Sequence, residues 1–208
     1  MAIGDNIPSF DERMEKFLSW KDHCPSYFSR GVELDPNNNV CIVRSTYDGV
    51  DLVGKDWMYG ANLVTNDGDK YYAKQACEEA HASNEDFSDS TARIELQNPS
   101  SADTPAKGDA YQQVSNPVTA SRKAFDSNYP KTADADSDNT GAGVDVVTYL
   151  TSWTTSDFNA TGIKGGAIHE NASPVNATKL LTHFTISSFD KTSSDTLKVF
   201  VNHTMNGS

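Results

Sequence analysis

One acidic segment carries oxygen ligands at the spacing of a calcium loop. Asp134, Asp136, Asp138 and Asp145 occupy its first, third, fifth and twelfth positions, where such loops place hard carboxylate ligands for Ca²⁺. The sixth position, which is normally glycine, is Asn139, and the twelfth is the short Asp145 instead of glutamate. Calcium is therefore one interpretation of the segment, and a solvated acidic loop is the interpretation that these two departures favour.

The five histidines are isolated from one another, and none belongs to an HExxH or comparable metal-binding pair. His183 and His203 lie in the two arms of the last predicted hairpin, where direct pairing of the arms would bring them close. A strand histidine with an ordinary hydrogen-bond partner is far commoner than a metal ligand. The sequence therefore predicts no metal role for His23, His81, His169, His183 or His203.

Patterns typical of nucleophilic or phosphate chemistry are missing from the sequence. No serine stands in a GxSxG elbow. Gly162, Gly165 and Gly166 are not followed by the Gly-Lys-Ser/Thr step that a phosphate loop needs. Carboxylates are abundant, but the sequence cannot select one pair for glycoside hydrolysis. We therefore predict a protein that is not an enzyme, with no catalytic residue and no cofactor apart from the calcium alternative.

Aromatic and cysteine side chains have two interpretations each. Trp20, Trp57, Trp153, Tyr71 and Tyr72 would stack on sugars if they were exposed, but in strands and helices such residues more often belong to the core. The three cysteines are far apart and odd in number, which favours buried free thiols over a disulfide framework. They are Cys24, Cys41 and Cys77.

The overall charge excludes some partners. The 208 residues carry a net charge of −12, which repels phosphate backbones and anionic membranes. No apolar run is long enough for a membrane-spanning helix, and the first residues lack the basic and apolar segments of a secretory signal. We expect synthesis and folding in a cytoplasm, with neither nucleic acid nor membrane as a partner.

The elements that would position these side chains are mostly strands. Alternating apolar and polar residues predict strands with one buried face, and helical spacing predicts one amphipathic helix over about 69–82 and another in an N-terminal arm. The fold class is mainly β: an antiparallel β-sandwich with one or two helices and an N-terminal helical arm. Residues 1–60 form the arm, its helix and the first strands, and residues 61–208 form the sandwich. The clearest strands are predicted at 40–44, 93–97, 144–153 and in the two arms of 180–204.

The order of these elements resembles a known family. LVTNDGDKYYAKQA from Leu63 is similar to the strand–turn–helix opening of a tailed-bacteriophage virion domain found in tail fibres and head accessory proteins. IELQN with SSADTPAKGDAY, then VTASRKA, follow in the expected order. VDVVTYLTSWTTSDFNATGIKGGAIHE resembles the long strand with its glycine-bearing successor, and LLTHFTISSFDKTSSDTLKVFVNHT resembles the closing hairpin.

The resemblance implies a repeating structural subunit. A region of about sixty residues precedes the domain and nothing follows it, which favours a head decoration, cement or neck-collar protein over a fibre. The implied partners are the major capsid or tail proteins of the same virion and further copies of the chain, and the implied location is the virion, assembled in the host cytoplasm. The alternatives are a carbohydrate-binding adhesion module of the β-sandwich type and a tail-tube or tail-fibre subunit.

Overall fold

Eight antiparallel strands and one α-helix make up the described part of the chain. The computed structural model describes residues 40–80, 86–87, 92–101, 103–133, 146–170 and 179–204. The strands are β1 (Val40–Asp48), β2 (Asp51–Val64), β3 (Ala92–Gln97), β4 (Lys131–Ala133), β5 (Val146–Trp153), β6 (Ala160–Glu170), β7 (Leu180–Lys191) and β8 (Asp195–Thr204), and the helix is α1 (Asn66–Ala76).

All eight strands belong to one hydrogen-bonded sheet, in the order β3-β6-β7-β2-β1-β8-β5-β4. The predicted mainly antiparallel β fold is confirmed. β1, β3 and β5 match the predicted strands within a few residues. β1 begins with an apolar run, β3 alternates apolar and polar side chains, and β5 is rich in β-branched and aromatic residues. The predicted N-terminal helical arm lies outside the described residues.

The last two strands are not direct partners, although the sequence suggested a hairpin. The β1–β2 hairpin lies between them: β2 pairs with β7, and β1 pairs with β8. His183 is therefore opposite Leu63, and His203 is opposite Val147. The expected proximity of the two histidines is wrong, because two intervening strands separate them.

Residues 117–126 connect β3, at one end of the strand order, with β5, which is next to the last strand at the other end. On one side Val118 donates its amide to the carbonyl of Leu96 at 2.8 Å, in β3. On the other side Asp126 donates to the carbonyl of Leu150 at 2.8 Å, in β5. The sheet thus closes around a core that all the longer strands share. Its largest fully buried side chains include Trp153, Tyr149, Phe87 and Phe184.

Helix α1 begins earlier than its apolar spacing predicted. Thr65 precedes it in extended conformation, and its hydroxyl accepts a hydrogen bond from the amide of Gly68 at 3.2 Å. This is the threonine cap that helix starts prefer. Asn66, Asp67 and Gly68 therefore form the first helical turn.

Two glycines of β6, Gly165 and Gly166, lie inside the strand. A Cβ at Gly165 would come within 2.3 Å of the carbonyl oxygen of Phe184, and a Cβ at Gly166 within 2.5 Å of that of Glu95. Both contacts are far closer than carbon and oxygen atoms tolerate. Glycine at these positions therefore permits the close approach of β6 to its neighbours.

The cysteines agree with the sequence interpretation only in part. Cys41 is buried as predicted, but Cys77 is exposed, while Cys24 is outside the described residues. The predicted boundary between the N-terminal region and the sandwich, between residues 60 and 61, falls inside β2. No helix in the described ranges is long and apolar enough to span a bilayer.

Candidate functional site

The four carboxylates of the calcium hypothesis, Asp134, Asp136, Asp138 and Asp145, lie outside the described residues, so that hypothesis stays a prediction. Within the described ranges, no group of three or more His, Cys, Asp or Glu side chains has the geometry to hold a metal ion. Charged and polar side chains instead gather on the outer face of β3, β6 and β7, which the sequence analysis did not single out.

This outer face is defined by the sheet register. Glu95, Ala167 and His183 stand opposite one another across β3, β6 and β7. Residues 103–116, the cover loop, pack over them, and Val114 of the loop forms a small apolar cluster with Ala167 and Leu180. We call the polar side chains beneath and beside this loop the covered cluster. They are Glu95, Gln97, Asp103, Asp109, Tyr111, Arg122, His169 and His183.

Glu95 is the centre of one half of the covered cluster. Its carboxylate is fully buried, and Arg122 approaches both oxygens through Nη2, at 3.1 and 3.2 Å. The hydroxyl of Tyr111 donates to Oε2 at 2.7 Å and accepts from Arg122 at 3.0 Å. A buried carboxylate needs such partners, since an uncompensated charge in the interior is very costly.

His169 completes the surroundings of Glu95. Its Nε2 lies 3.1 Å from Oε2 of Glu95, with both side chains fully buried. The distance suits an ion pair, but the direction is poor for a hydrogen bond. Nδ1 is 2.8 Å from the backbone carbonyl of Glu170.

The contacts around Glu95 and its burial shift the pKa values of Glu95 and Tyr111. Burial alone would raise the pKa of Glu95, but the contacts with His169 and Tyr111 and the charge of Arg122 more than offset it, so the pKa of Glu95 is lowered. Burial, followed by the contact with the Glu95 carboxylate, raises the pKa of Tyr111 to about 12. Glu95 is therefore ionised and Tyr111 neutral at physiological pH.

His183 is the centre of the other half. Its Nδ1 lies 2.8 Å from Oδ2 of Asp109, and its Nε2 lies 3.1 Å from the amide nitrogen of Gln97. Asp103 is further from Nε2, at 3.7 Å. Asp109 also accepts the backbone amide of Ala106 at 2.9 Å, which ties the cover loop to β7 through one carboxylate.

The covered cluster links the cover loop to the sheet, and its central side chains are withdrawn from water. Glu95 and His169 are fully buried, and His183 is 1% exposed. Both ring nitrogens of His183 face protein groups, so neither is directed at a nucleophile as a catalytic base would be. Removal of one member would instead leave its partners as buried unpaired charges.

A third buried histidine lies on the opposite side of the sheet, beneath α1. Nδ1 of His203 is 2.5 Å from the hydroxyl of Tyr72, which lies 3.0 Å from the hydroxyl of Tyr149. Burial lowers the pKa of His203 to about 3, and burial raises the pKa values of Tyr72 and Tyr149. All three groups are therefore neutral at physiological pH.

The exposed apolar surface is elsewhere, at the end of the β1–β2 hairpin. Among the described residues, the exposed large hydrophobic side chains are Val50, Leu52 and Val53. They adjoin one another in the hairpin tip, which we define as residues 48–53. Of the aromatic residues considered as sugar platforms, Trp153 and Tyr71 are buried, Trp57 and Tyr72 are half-buried, and Trp20 is outside the described residues.

Part of this arrangement had a signal in the sequence. Glu95 and Gln97 alternate with Ile94 and Leu96 in β3, which marks a strand with a polar face. The partners of that face lie far along the chain, and no spacing rule connects them with it. The tip had a weaker signal, a valine directly after Asp48-Gly49, where turns usually place polar residues.

Comparison of the chain with models of protein families, with curated proteins and with solved structures finds no match.

Proposed function

We propose that this protein is a non-enzymatic structural subunit of a tailed-phage virion, a head decoration, cement or neck-collar protein that assembles in many copies. Its partners are the major capsid or tail proteins of the same virion and further copies of the chain. Its location is the virion, with assembly in the host cytoplasm. Interfaces of about 800 Å² per partner, repeated over many copies, would give stable attachment through avidity.

The hairpin tip is the observation that supports this proposal best. A subunit that attaches to other proteins needs an apolar surface that its own fold leaves open. Val50 is 93% exposed and Val53 is 49% exposed, whereas the other large aliphatic side chains that the structure describes in the strands, apart from that of Leu52, are buried or half-buried. The family resemblance of the sequence suggests the same kind of protein.

The covered cluster supports the non-enzymatic part of the proposal. Ionisable groups that act on a substrate must reach it, directly or through one water molecule. Glu95 and His169 are fully buried, and the cover loop lies over His183. Their contacts resemble those of a structural polar network, in which each charged group compensates another.

The carbohydrate-binding alternative depends on exposed aromatic rings. Tyr71 and Trp153 are in the core, where they cannot stack on a sugar. Trp57 is half-buried, and Nζ of Lys55 lies 5.2 Å from its ring centroid. These positions favour the structural proposal over a glycan-binding surface.

Immunogold electron microscopy of intact phage particles from the source of the sequence tests the proposal. An antibody against the full chain should label the head surface or the neck. Label on the tail alone would contradict the decoration or collar assignment and favour the tail-tube or tail-fibre alternative. Particles without label would overturn the virion proposal, and a glycan array would then test the adhesion module. The matched control is the same antibody after absorption with the purified protein.

A further inference from the structure

The hairpin tip projects beyond the strands on either side of it. β8 pairs with β1 only as far as Thr46, which is opposite Asp195. On the other side, β7 pairs with β2 only over Gly60–Val64. Within the described ranges, the tip therefore forms its strand pairing only between its own two arms.

The base of the hairpin is held firmly. The hydroxyl of Thr46 donates to Oδ1 of Asp195 at 2.6 Å. Arg44 pairs with Asp56 of the opposite arm at 2.6 Å and donates to the backbone carbonyl of Asp190 at 2.9 Å. A braced base with a projecting tip keeps its shape before it meets a partner, which lowers the entropic cost of binding.

The side chains of the tip are unusual for a tight turn. Gly49 has a φ of +62° and begins the two-residue connection, and Val50 completes it. The side chain of Val50, the second residue of this connection, is 93% exposed to solvent. With Leu52 and Val53 it makes three of the four residues from 50 to 53 apolar and exposed, interrupted by Asp51. Exposed apolar side chains grouped in this way are typical of a contact with another protein.

The charge around the tip specifies the kind of partner. Asp48 and Asp51 are exposed and flank Val50. A second copy would bring identical carboxylates together, in a chain that already carries a net charge of −12. The register also shifts beside Thr46 and Tyr47, and a bulge of this kind discourages continuous pairing along a strand edge.

We propose that the hairpin tip docks into an apolar pocket bordered by lysine or arginine side chains on a different virion protein, and not onto a second copy of this chain. Val50 and Val53 enter the pocket, while Asp48 and Asp51 meet its basic rim. The inference rests on the proposed virion function, to which it adds the docking residues and the chemistry of the partner.

Co-sedimentation with phage particles that lack this protein tests the inference. The full wild-type chain should bind, and Val50→Ser combined with Val53→Ser (V50S/V53S) should weaken binding on the order of 100-fold, since two buried aliphatic contacts are lost. Asp48→Asn with Asp51→Asn should weaken binding less and reduce its dependence on salt. Asn159→Ser with Thr161→Ser, at exposed positions around the start of β6, is the matched control and should bind as the wild type does.

Each failure has a different meaning. If the wild type does not bind the particles, the virion function is overturned and the docking inference falls with it. If the wild type binds and V50S/V53S binds equally well, the virion function stands and the tip is not the docking element. If analytical ultracentrifugation shows that the wild type dimerises and V50S/V53S does not, the partner is a second copy and the heterotypic inference is overturned.

Discussion

Two regions of this protein place their side chains in opposite ways. Under the cover loop, the ionisable side chains of Glu95 and His169 are withdrawn from water into the protein. At the hairpin tip, the aliphatic groups of Val50 and Val53 face water. Burying charge costs free energy and exposing apolar surface costs free energy. The first arrangement is compensated within the chain by ion pairs and hydrogen bonds, and the second has no such compensation among the described residues.

The residue types in the two regions do not match the roles that their reactivity would suggest. The histidines and carboxylates of the covered cluster hold the cover loop on the sheet. Val50 and Val53 of the hairpin tip, which are chemically inert, are the residues proposed to contact a partner. Substitutions in the two regions should therefore separate stability from binding.

The largest effect is expected at the centre of the covered cluster. Glu95→Ala leaves Arg122 and His169 without their carboxylate partner in the interior, which should cost about 3–5 kcal/mol of unfolding free energy. Urea unfolding followed by circular dichroism measures this loss. A stability change below about 1 kcal/mol would show that the cluster is not a compensated buried network.

The next effect is an acid sensitivity that originates at His203. Its pKa in the folded protein is about 3, and in the unfolded chain it is about 6.5. Below the unfolded value only the unfolded chain takes up the proton, so stability is lost as the pH falls from about 6.5 towards about 3. At pH 5 the loss from this group is about 2 kcal/mol.

His203→Gln removes this titration and should flatten the stability profile between pH 7 and pH 4.5. The comparison uses the slope of unfolding free energy against pH, because loss of the contact with Tyr72 also changes the absolute value. Parallel slopes for the wild type and the variant would contradict a buried neutral His203.

A smaller effect is expected where the cover loop meets β7. Asp109→Asn keeps the shape of the side chain but removes the charge beside His183, which should cost about 1–2 kcal/mol. Asp69→Asn is the matched control, since Asp69 pairs with Lys107 on the surface, where such pairs contribute about 0–1 kcal/mol. Thermal unfolding measures the stability loss in both variants. Equal losses would mean that the contact between Asp109 and His183 contributes no more to stability than an exposed ion pair does.

The sequence predicted the strands better than it predicted their partners. The apolar run of β1, the alternation in β3 and the β-branched and aromatic residues of β5 are local, so each can be read from a few residues. The insertion of the β1–β2 hairpin between β7 and β8 is decided by contacts between distant parts of the chain. The same holds for the two sites: β3 shows its polar face locally, but only the fold brings His169 and His183 to it.

The glycines differ in how far the sequence indicates their structural roles. The sequence alone assigns no structural role to Gly165 and Gly166. In the structure they serve close strand packing, because the carbonyl of Phe184 or Glu95 occupies the space of a Cβ. Gly49 has the turn role that its type predicted, with a positive φ.

The smallest effect on stability is expected at the hairpin tip. V50S/V53S removes exposed aliphatic groups, so its unfolding free energy should stay within about 0.5 kcal/mol of the wild type. Differential scanning calorimetry checks this. A large loss would mean that the tip is part of the core of the folded chain.

The most direct test compares both regions in one binding experiment. Glu95→Gln and V50S/V53S are mixed with particles that lack the protein, at a temperature where circular dichroism shows both variants folded. We predict that Glu95→Gln binds the particles like the wild type despite its lower thermal stability. V50S/V53S should lose binding to the particles at unchanged thermal stability. Loss of binding in Glu95→Gln with full binding in V50S/V53S would contradict it.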